Sequence, residues 1–384
     1  MPPQKDLNNK TGNSSSDSPA KASNFDITLR YQALLARYVN NEELLKLRPR
    51  EEDFSDIYKD FQKDIQNNIK KEEEFQKNPP QNFESSLQSK IFEGMLALDG
   101  NSLFGNEFKI TLTSKHDDYI NGVDLIFEAE AEDRSEKKKL LGQKEVIETE
   151  PIVRKKFIRF GIDTMVSENT DNVKRKSSGI VDRIKTGNNK IKYFKSSLEK
   201  GRVGLDSLPR FFLPLDGNLW NDVVNIYKQD AGKKILSQLF LEFIKKQTEN
   251  QFLFSLGILY SKKGGLLARP SQEKLAYELF SKGKEIKNSD WATEDIKDLM
   301  SQFEDNKKVL EKFKYADPAQ VEFLGNLKNI YDLVVSILEK KQNENVQEVP
   351  VNEKIAEPIF SSAISQIASR RFTADEVGLS HYVH

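Results

Sequence analysis

His116-Asp117-Asp118-Tyr119-Ile120-Asn121-Gly122-Val123-Asp124 runs directly into an apolar stretch, Leu125-Ile126-Phe127. Asn121-Gly122 supplies a turn, and the alternation after it predicts a strand with Val123, Leu125 and Phe127 on one face and Asp124, Ile126 and Glu128 on the other. A second run, Phe157 to Val166, alternates the same way, with Phe160, Ile162, Thr164 and Val166 opposed to Gly161, Asp163 and Met165. Asp163 thus lies in an otherwise apolar setting, where a carboxylate is costly to bury without a cation or hydrogen-bond donors. Two acids aimed inward from neighbouring strands point to a metal site.

Before these strands, Phe108, Ile110 and Leu112 alternate with Lys109, Thr111 and Thr113, the pattern of a half-buried strand. Earlier still, Phe83 to Leu98 has helical spacing, with Leu87, Ile91, Met95 and Leu98 on a broad apolar face and Ser89, Glu93 and Ala97 on another. The small neighbours of Glu93 allow it to come close to a sheet. Ala129 to Lys156 is strongly charged and reads as an extended hairpin or insertion. A helix follows from Thr170, taken as its N-cap, with Val173, Ser177, Ile180 and Ile184 on one stripe and Lys174 and Lys176 flanking it. Lys190 to Phe194 and Leu208 to Leu215 read as extended. The order is helix, three strands, helix, strand.

Around this core, residues 83–216, the chain divides by composition. Residues 1–23 form a polar tail without the apolar run of a signal peptide. Residues 24–82 read as a helical preface with Leu34, Leu35, Tyr38, Leu44 and Leu45, ending near Pro79-Pro80. Residues 217–342 are helical again, through Trp220, Val223, Val224, Tyr227, Ile235, Leu239, Phe240 and Phe243 to a last helix near Gln320 to Lys341. A faint helix-hairpin pattern around Leu256-Gly257 has no second copy and reads as core packing. Residues 343–384 read as a weakly ordered tail, with an amphipathic stretch from Phe360 to Phe372. No stretch reaches the roughly 18 apolar residues of a membrane helix, so a cytoplasmic protein is expected.

Composition narrows the chemistry. The chain of 384 residues has no cysteine and three histidines, His116, His381 and His384. Thiolate nucleophiles, cysteine zinc sites, iron-sulfur clusters and disulfides are therefore excluded. There is no G-x-S-x-G elbow, no G-x-x-x-x-G-K-[ST] phosphate loop and no G-x-G-x-x-G turn after a strand. Hydrolysis of phosphodiesters assisted by Mg²⁺ needs none of these. Total charge is almost balanced, 59 basic residues against 60 acidic, but Arg154 to Arg202 holds 14 Lys/Arg and 5 Asp/Glu. That concentration is either a footprint for a phosphate backbone or a solvated lysine-rich surface.

These residues resemble the PD-(D/E)XK nuclease superfamily. The resemblance covers Phe83 to Asp216 and implies a restriction-endonuclease-like αβββαβ core, of α/β class with a mixed central sheet, here carrying N-terminal and C-terminal helical additions. Gly122-Val123-Asp124 matches the acid at the start of the second strand, without the proline, and Asp163-Thr164-Met165 matches acid-x-lysine in its acid alone. Met165 stands where the family has lysine. Some members carry that lysine on the following helix, which makes Lys176 or Lys174 the replacement, and the family's additional helical acid maps to Glu93. The resemblance implies Mg²⁺ or Mn²⁺ held by Asp124 and Asp163 with Glu93 beside them, and DNA as substrate, RNA being the alternative polymer. Asp117 and Asp118 either assist the metal or satisfy local backbone donors, and His116 is either an acid or base or a surface residue. The rival expectations are an inactive relative that binds nucleic acid or protein, and a scaffold whose helical C-terminal half binds a protein partner.

Overall fold

A computed structural model describes residues 24–261, apart from 79–82, 136–137, 142–143, 148–151, 168, 187–188, 200, 216 and 229, together with 297–298, 300–304, 307 and 318–344. The expected N-terminal tail, the C-terminal tail beyond Glu344 and most of the helix-hairpin stretch lie outside the described residues. The molecule is of mixed α/β class. Its strands are β1 (Lys109–Leu112), β2 (Leu125–Ser135), β3 (Lys138–Leu141), β4 (Lys144–Ile147), β5 (Ile152–Val166), β6 (Ile191–Lys195), β7 (Arg202–Leu205) and β8 (Arg210–Leu215). The helices are α1 (Asn24–Tyr38), α2 (Glu42–Leu47), α3 (Phe61–Lys77), α4 (Phe83–Phe104), α5 (Thr170–Thr186), α6 (Gly217–Tyr227), α7 (Asp230–Ser261) and α8 (Pro318–Glu344).

One four-stranded sheet, in the order β1-β2-β5-β8, carries the fold. The first three strands are antiparallel neighbours, and β8 returns parallel to β5 after the α5 crossover. The helix, three-strand, helix, strand order read from the sequence is therefore present. The charged stretch after Ala129 is indeed a long hairpin, because β2 and β5 stay paired out to Ser135 and Ile152. Its tip carries β3 and β4. The short strand β7, which the sequence reading missed, pairs with β6 in a separate hairpin.

Both faces of the sheet are covered. On one face Phe127, Phe160 and Phe211 pack against Ile91 and Met95 of α4, Trp220 of α6, Ile244 of α7 and Leu324 of α8, so preface, sheet and C-terminal helices share one core. Phe127 stacks between Phe160 and Phe240 at centroid distances of 5.1 and 5.4 Å. The other face holds a smaller group, Val123, Ile126, Ile191, Phe194 and Leu208. Val123 was expected on the face of Leu125 and Phe127. It packs with Ile126 instead, because regular strand alternation begins only at Leu125. Among the described residues no helix is long and apolar enough to cross a membrane.

The segment before β2 is a single π-turn, Asp117–Asn121, closed by Gly122 at φ 65°, a left-handed conformation that glycine adopts without Cβ strain. Arg183 of α5 and Arg210 of β8 both donate to the Asn121 carbonyl, Arg183 also to Ile120 and Arg210 to Lys190. Positive charge at the carbonyl end of a helical turn is favourable, and Arg210 is almost fully buried there. Arg210→Met should destabilise the fold by about 2 kcal/mol, since it strips donors from buried carbonyls, and denaturant unfolding reads the loss. Arg210→Met at wild-type stability would show that these bonds contribute nothing.

Candidate functional site

Asp124 precedes β2 by one residue. Leu125 pairs with Ile162, and the Asp124 N–H donates to the same Ile162 carbonyl at 3.0 Å, so two residues of the incoming chain meet one of β5 and the regular register ends there. At this end of the strand the Asp124 charge acts on the Asp163 carboxyl. Both side chains are buried, at 8% and 5% exposure. Asp124 Oδ2 accepts from the Thr164 backbone N–H at 2.7 Å and from Thr164 Oγ1 at 2.9 Å. Asp163 Oδ1 accepts from Lys176 Nζ at 2.5 Å, the ammonium lying 5.9 Å from the centre of the Phe212 ring. Lys176 arrives from α5, the helix after the third core strand. Lys174 lies on the same helix, but its side chain is outside the described residues.

A third acid comes from α4. That helix approaches the end of β5 closely enough for Ser89 Oγ to accept from the Val166 N–H at 2.8 Å, and Glu93 lies one turn further along. The preface crosses α4 at Gly94, where an added Cβ would stand 1.9 Å from the Tyr38 carbonyl oxygen. Downstream of that crossing, α2 is followed by Arg48, whose guanidinium reaches Glu93 Oε1 at 2.8 Å and Asp118 Oδ2 at 3.2 Å. Asp118 is thus a fourth acid in the cluster.

The π-turn separates two neighbouring acids that the sequence reading treated together. Asp117, wholly buried, accepts from the backbone N–H groups of Lys192 and Tyr193, from Ser114 Oγ and from Asn121 Nδ2. Its capacity is spent on tying β6 to the turn. Asp118 points instead toward Arg48. His116 is buried beside Tyr193, with Nδ1 3.6 Å from Asp64 Oδ1, and its backbone N–H donates to Glu51. These groups join the preface to the core away from Asp163. At the start of α5, Asn169 Oδ1 caps the Asp171 and Asn172 N–H groups, so the cap is Asn169 rather than Thr170.

Electrostatics follow from this crowding. Burial, and next the Asp124 charge, raise the Asp163 carboxyl to about 7 against the pull of Lys176. Burial and Asp124 likewise raise Asp118 to about 6, and Glu93 well above the usual carboxylate range, with Arg48 opposing both. Burial pulls the Lys176 and Arg48 pKa values down, but the facing acids outweigh it and both end raised. Four acids therefore face two cations, leaving a shortfall of positive charge.

Among the described residues each of the four acids receives donors on one carboxylate oxygen only. The other oxygens are hard ligands of the kind Mg²⁺ and Mn²⁺ take. No group of three or more Asp, Glu or His side chains among the described residues is arranged to hold a metal ion. Two carboxylates with water in the remaining positions are the kind of donor that Mg²⁺ takes.

Part of the basic stretch is paired with acids of the molecule itself. Arg159 pairs with Glu128 and Glu199, Lys155 with Glu130, Lys190 with Asp206, and Lys192 with Asp60 and Asp64 of the preface. A groove of about 1190 Å³ does open beside the cluster, between Glu42 to Asp53 on one wall and Lys195 to Gly201 on the other, with Arg48 in its lining. Compared with known proteins, the chain matches no family model, no curated protein and no solved structure.

Proposed function

We propose that the chain is a nuclease-like protein with a restriction-endonuclease-like core, hydrolysing phosphodiester bonds in DNA with Mg²⁺ or Mn²⁺ held by Asp124 and Asp163. The observation that carries this reading is the Lys176 ammonium 2.5 Å from the buried Asp163, with the buried Asp124 close enough for its charge to act on both. Lys176 supplies, from the crossover helix, the amine that Met165 does not. When bound, the ion supplies Lewis-acid polarisation of a phosphoryl oxygen. Thr164 fixes the rotamer of Asp124 with two hydrogen bonds, so that its second oxygen is presented without further ordering cost. The Lys176 side chain is 37% exposed, accessible enough to meet a phosphate and stabilise its charge. Glu93, as auxiliary acid, keeps Arg48 in place.

Purified protein with single- and double-stranded DNA should cleave in Mn²⁺ and not in EDTA; intact DNA under both conditions overturns the reading. Lys176→Met should lower the rate about a hundredfold while Mn²⁺ binding persists. An unchanged rate removes Lys176 from the chemistry. The second reading, an inactive relative that binds nucleic acid or protein, is favoured by the cations already seated on Glu93, Asp118 and Asp163. Retention of labelled DNA without cleavage in Mn²⁺ would select it.

A further inference from the structure

Where the C-terminal helices meet the core, a small cavity of about 10 Å³ lies between Ile184, Asn189, Ser207, Ser255, Gln320 and Phe323. Three of these residues carry a buried oxygen without a hydrogen-bond partner: Asn189 Oδ1, Ser255 Oγ and Gln320 Oε1, on residues 1%, 2% and 3% exposed. Buried polar atoms without partners are rare and costly, and three of them around one small space point to a shared ligand. They come from three parts of the chain: the segment between α5 and β6, the long helix α7, and the first turn of α8. Ser207, in the turn before β8, has φ 53°, a left-handed conformation that a residue with a Cβ adopts at a cost. Its carbonyl accepts from Asn326 Nδ2 of α8 at 3.2 Å, and the next N–H, of Leu208, donates to the Asn189 carbonyl at 3.0 Å.

We propose that this cavity is a binding site for one water molecule, which donates to Asn189 Oδ1 and Gln320 Oε1 and accepts from the Ser255 hydroxyl. The hydrogen bonds close: the two side-chain carbonyls only accept, a serine hydroxyl can donate, and a buried water makes about three such bonds. Size agrees, because the space is about that of one water and excludes any larger polar molecule. So does charge. No charged residue lines the cavity, and a cation there would be buried without a counter-charge, so the ligand is neutral. The water ties α7 and the start of α8 to the segment that carries Asn189 into β6, beside the turn from which Arg210 enters β8. Arg210 in turn holds the Asn121 carbonyl ahead of Asp124. The C-terminal helices thus belong to the polar framework of the core and are not fastened to it by apolar side chains alone.

A crystal structure of the full chain, at a resolution that shows ordered waters, tests the site directly. One water peak within hydrogen-bond distance of all three oxygens is expected. No peak there, or an anomalous peak after soaking in rubidium chloride, overturns the proposal. Thermal unfolding supplies a second reading. Gln320→Met puts a methyl group in the place of the water, so it should lower the Tm and leave Asn189 and Ser255 unpaired. Ser255→Ala should then cost less in that background than in the wild type, since the bond it removes is already lost. An equal cost in both backgrounds shows that the two side chains share no ligand and overturns the proposal. The wild-type Tm should also be the same in sodium, potassium and choline chloride at equal ionic strength. A gain in sodium or potassium that Gln320→Met abolishes would identify a monovalent cation in place of the water.

Discussion

Asp163→Ala is expected to lower Mn²⁺-dependent cleavage of DNA about a thousandfold, with the folded state intact. The loss is large because three contributions end together. One of the two carboxylates proposed to hold the ion is gone, the Lys176 ammonium loses the partner that orients it, and the charge that interacts with Asp124 disappears. Stability should move little in the same variant. Removing a buried acid whose pKa is raised by burial and by Asp124 relieves a desolvation cost, while Lys176, partly exposed, can be hydrated. Single-turnover cleavage of both DNA forms, alongside the exposed Asp171→Ala on α5 as control, separates a site effect from a folding effect. Equal rates for wild type and Asp163→Ala would remove Asp163 from the reaction.

The sheet could be read in the sequence because its determinants are local. The period of two in Phe157 to Val166, the Asn121-Gly122 turn and the helical stripe on α5 each lie within a few residues of the position they fix. That the strand after Asp124 lies beside the one carrying Asp163 was legible in the same way. Arg48 did not follow. It lies 45 residues from Glu93 and 70 from Asp118, on a helix that presents no periodic signal at that position, and it reaches the cluster only because Gly94 lets the preface cross α4 closely. The one clue in the sequence was arithmetic: buried acids need cations, and Lys176 alone could not serve them.

Asp117 and Asp118 show a different limit. Adjacent acids in a loop look alike in a sequence, and only the π-turn, which rotates them to separate sides, assigns one to the backbone of β6 and the other to Arg48. The basic stretch from Arg154 to Arg202 was ambiguous for a related reason. Composition counts charges but not partners, and here the partners include the acids of the preface.

In EDTA, the protein should become less stable as pH rises from about 4 to about 7, by on the order of 3 kcal/mol. An unfolded aspartate releases its proton near 3.8, whereas folded Asp163 holds its proton to about 7 and Asp118 to about 6, because burial and the Asp124 charge disfavour their ionised forms. Across that window the folded chain binds protons that the unfolded chain has lost, so raising the pH favours unfolding. Arg48 and Lys176 stay charged throughout and moderate the fall without reversing it. A divalent ion changes the sign of the problem. It binds the ionised acids, so Mn²⁺ at about 100 times its dissociation constant should restore roughly 3 kcal/mol at pH 7 and almost nothing at pH 4, where the acids hold protons. Thermal unfolding at pH 4.5 and 7.5, with EDTA and with Mn²⁺, measures both effects, and Asp163→Asn removes the share of Asp163 and should make the EDTA profile shallower, with Asp118 still titrating. If wild type and Asp163→Asn lose stability in parallel as pH rises, Asp163 is already compensated by Lys176, and the cluster has no charge to offer an ion.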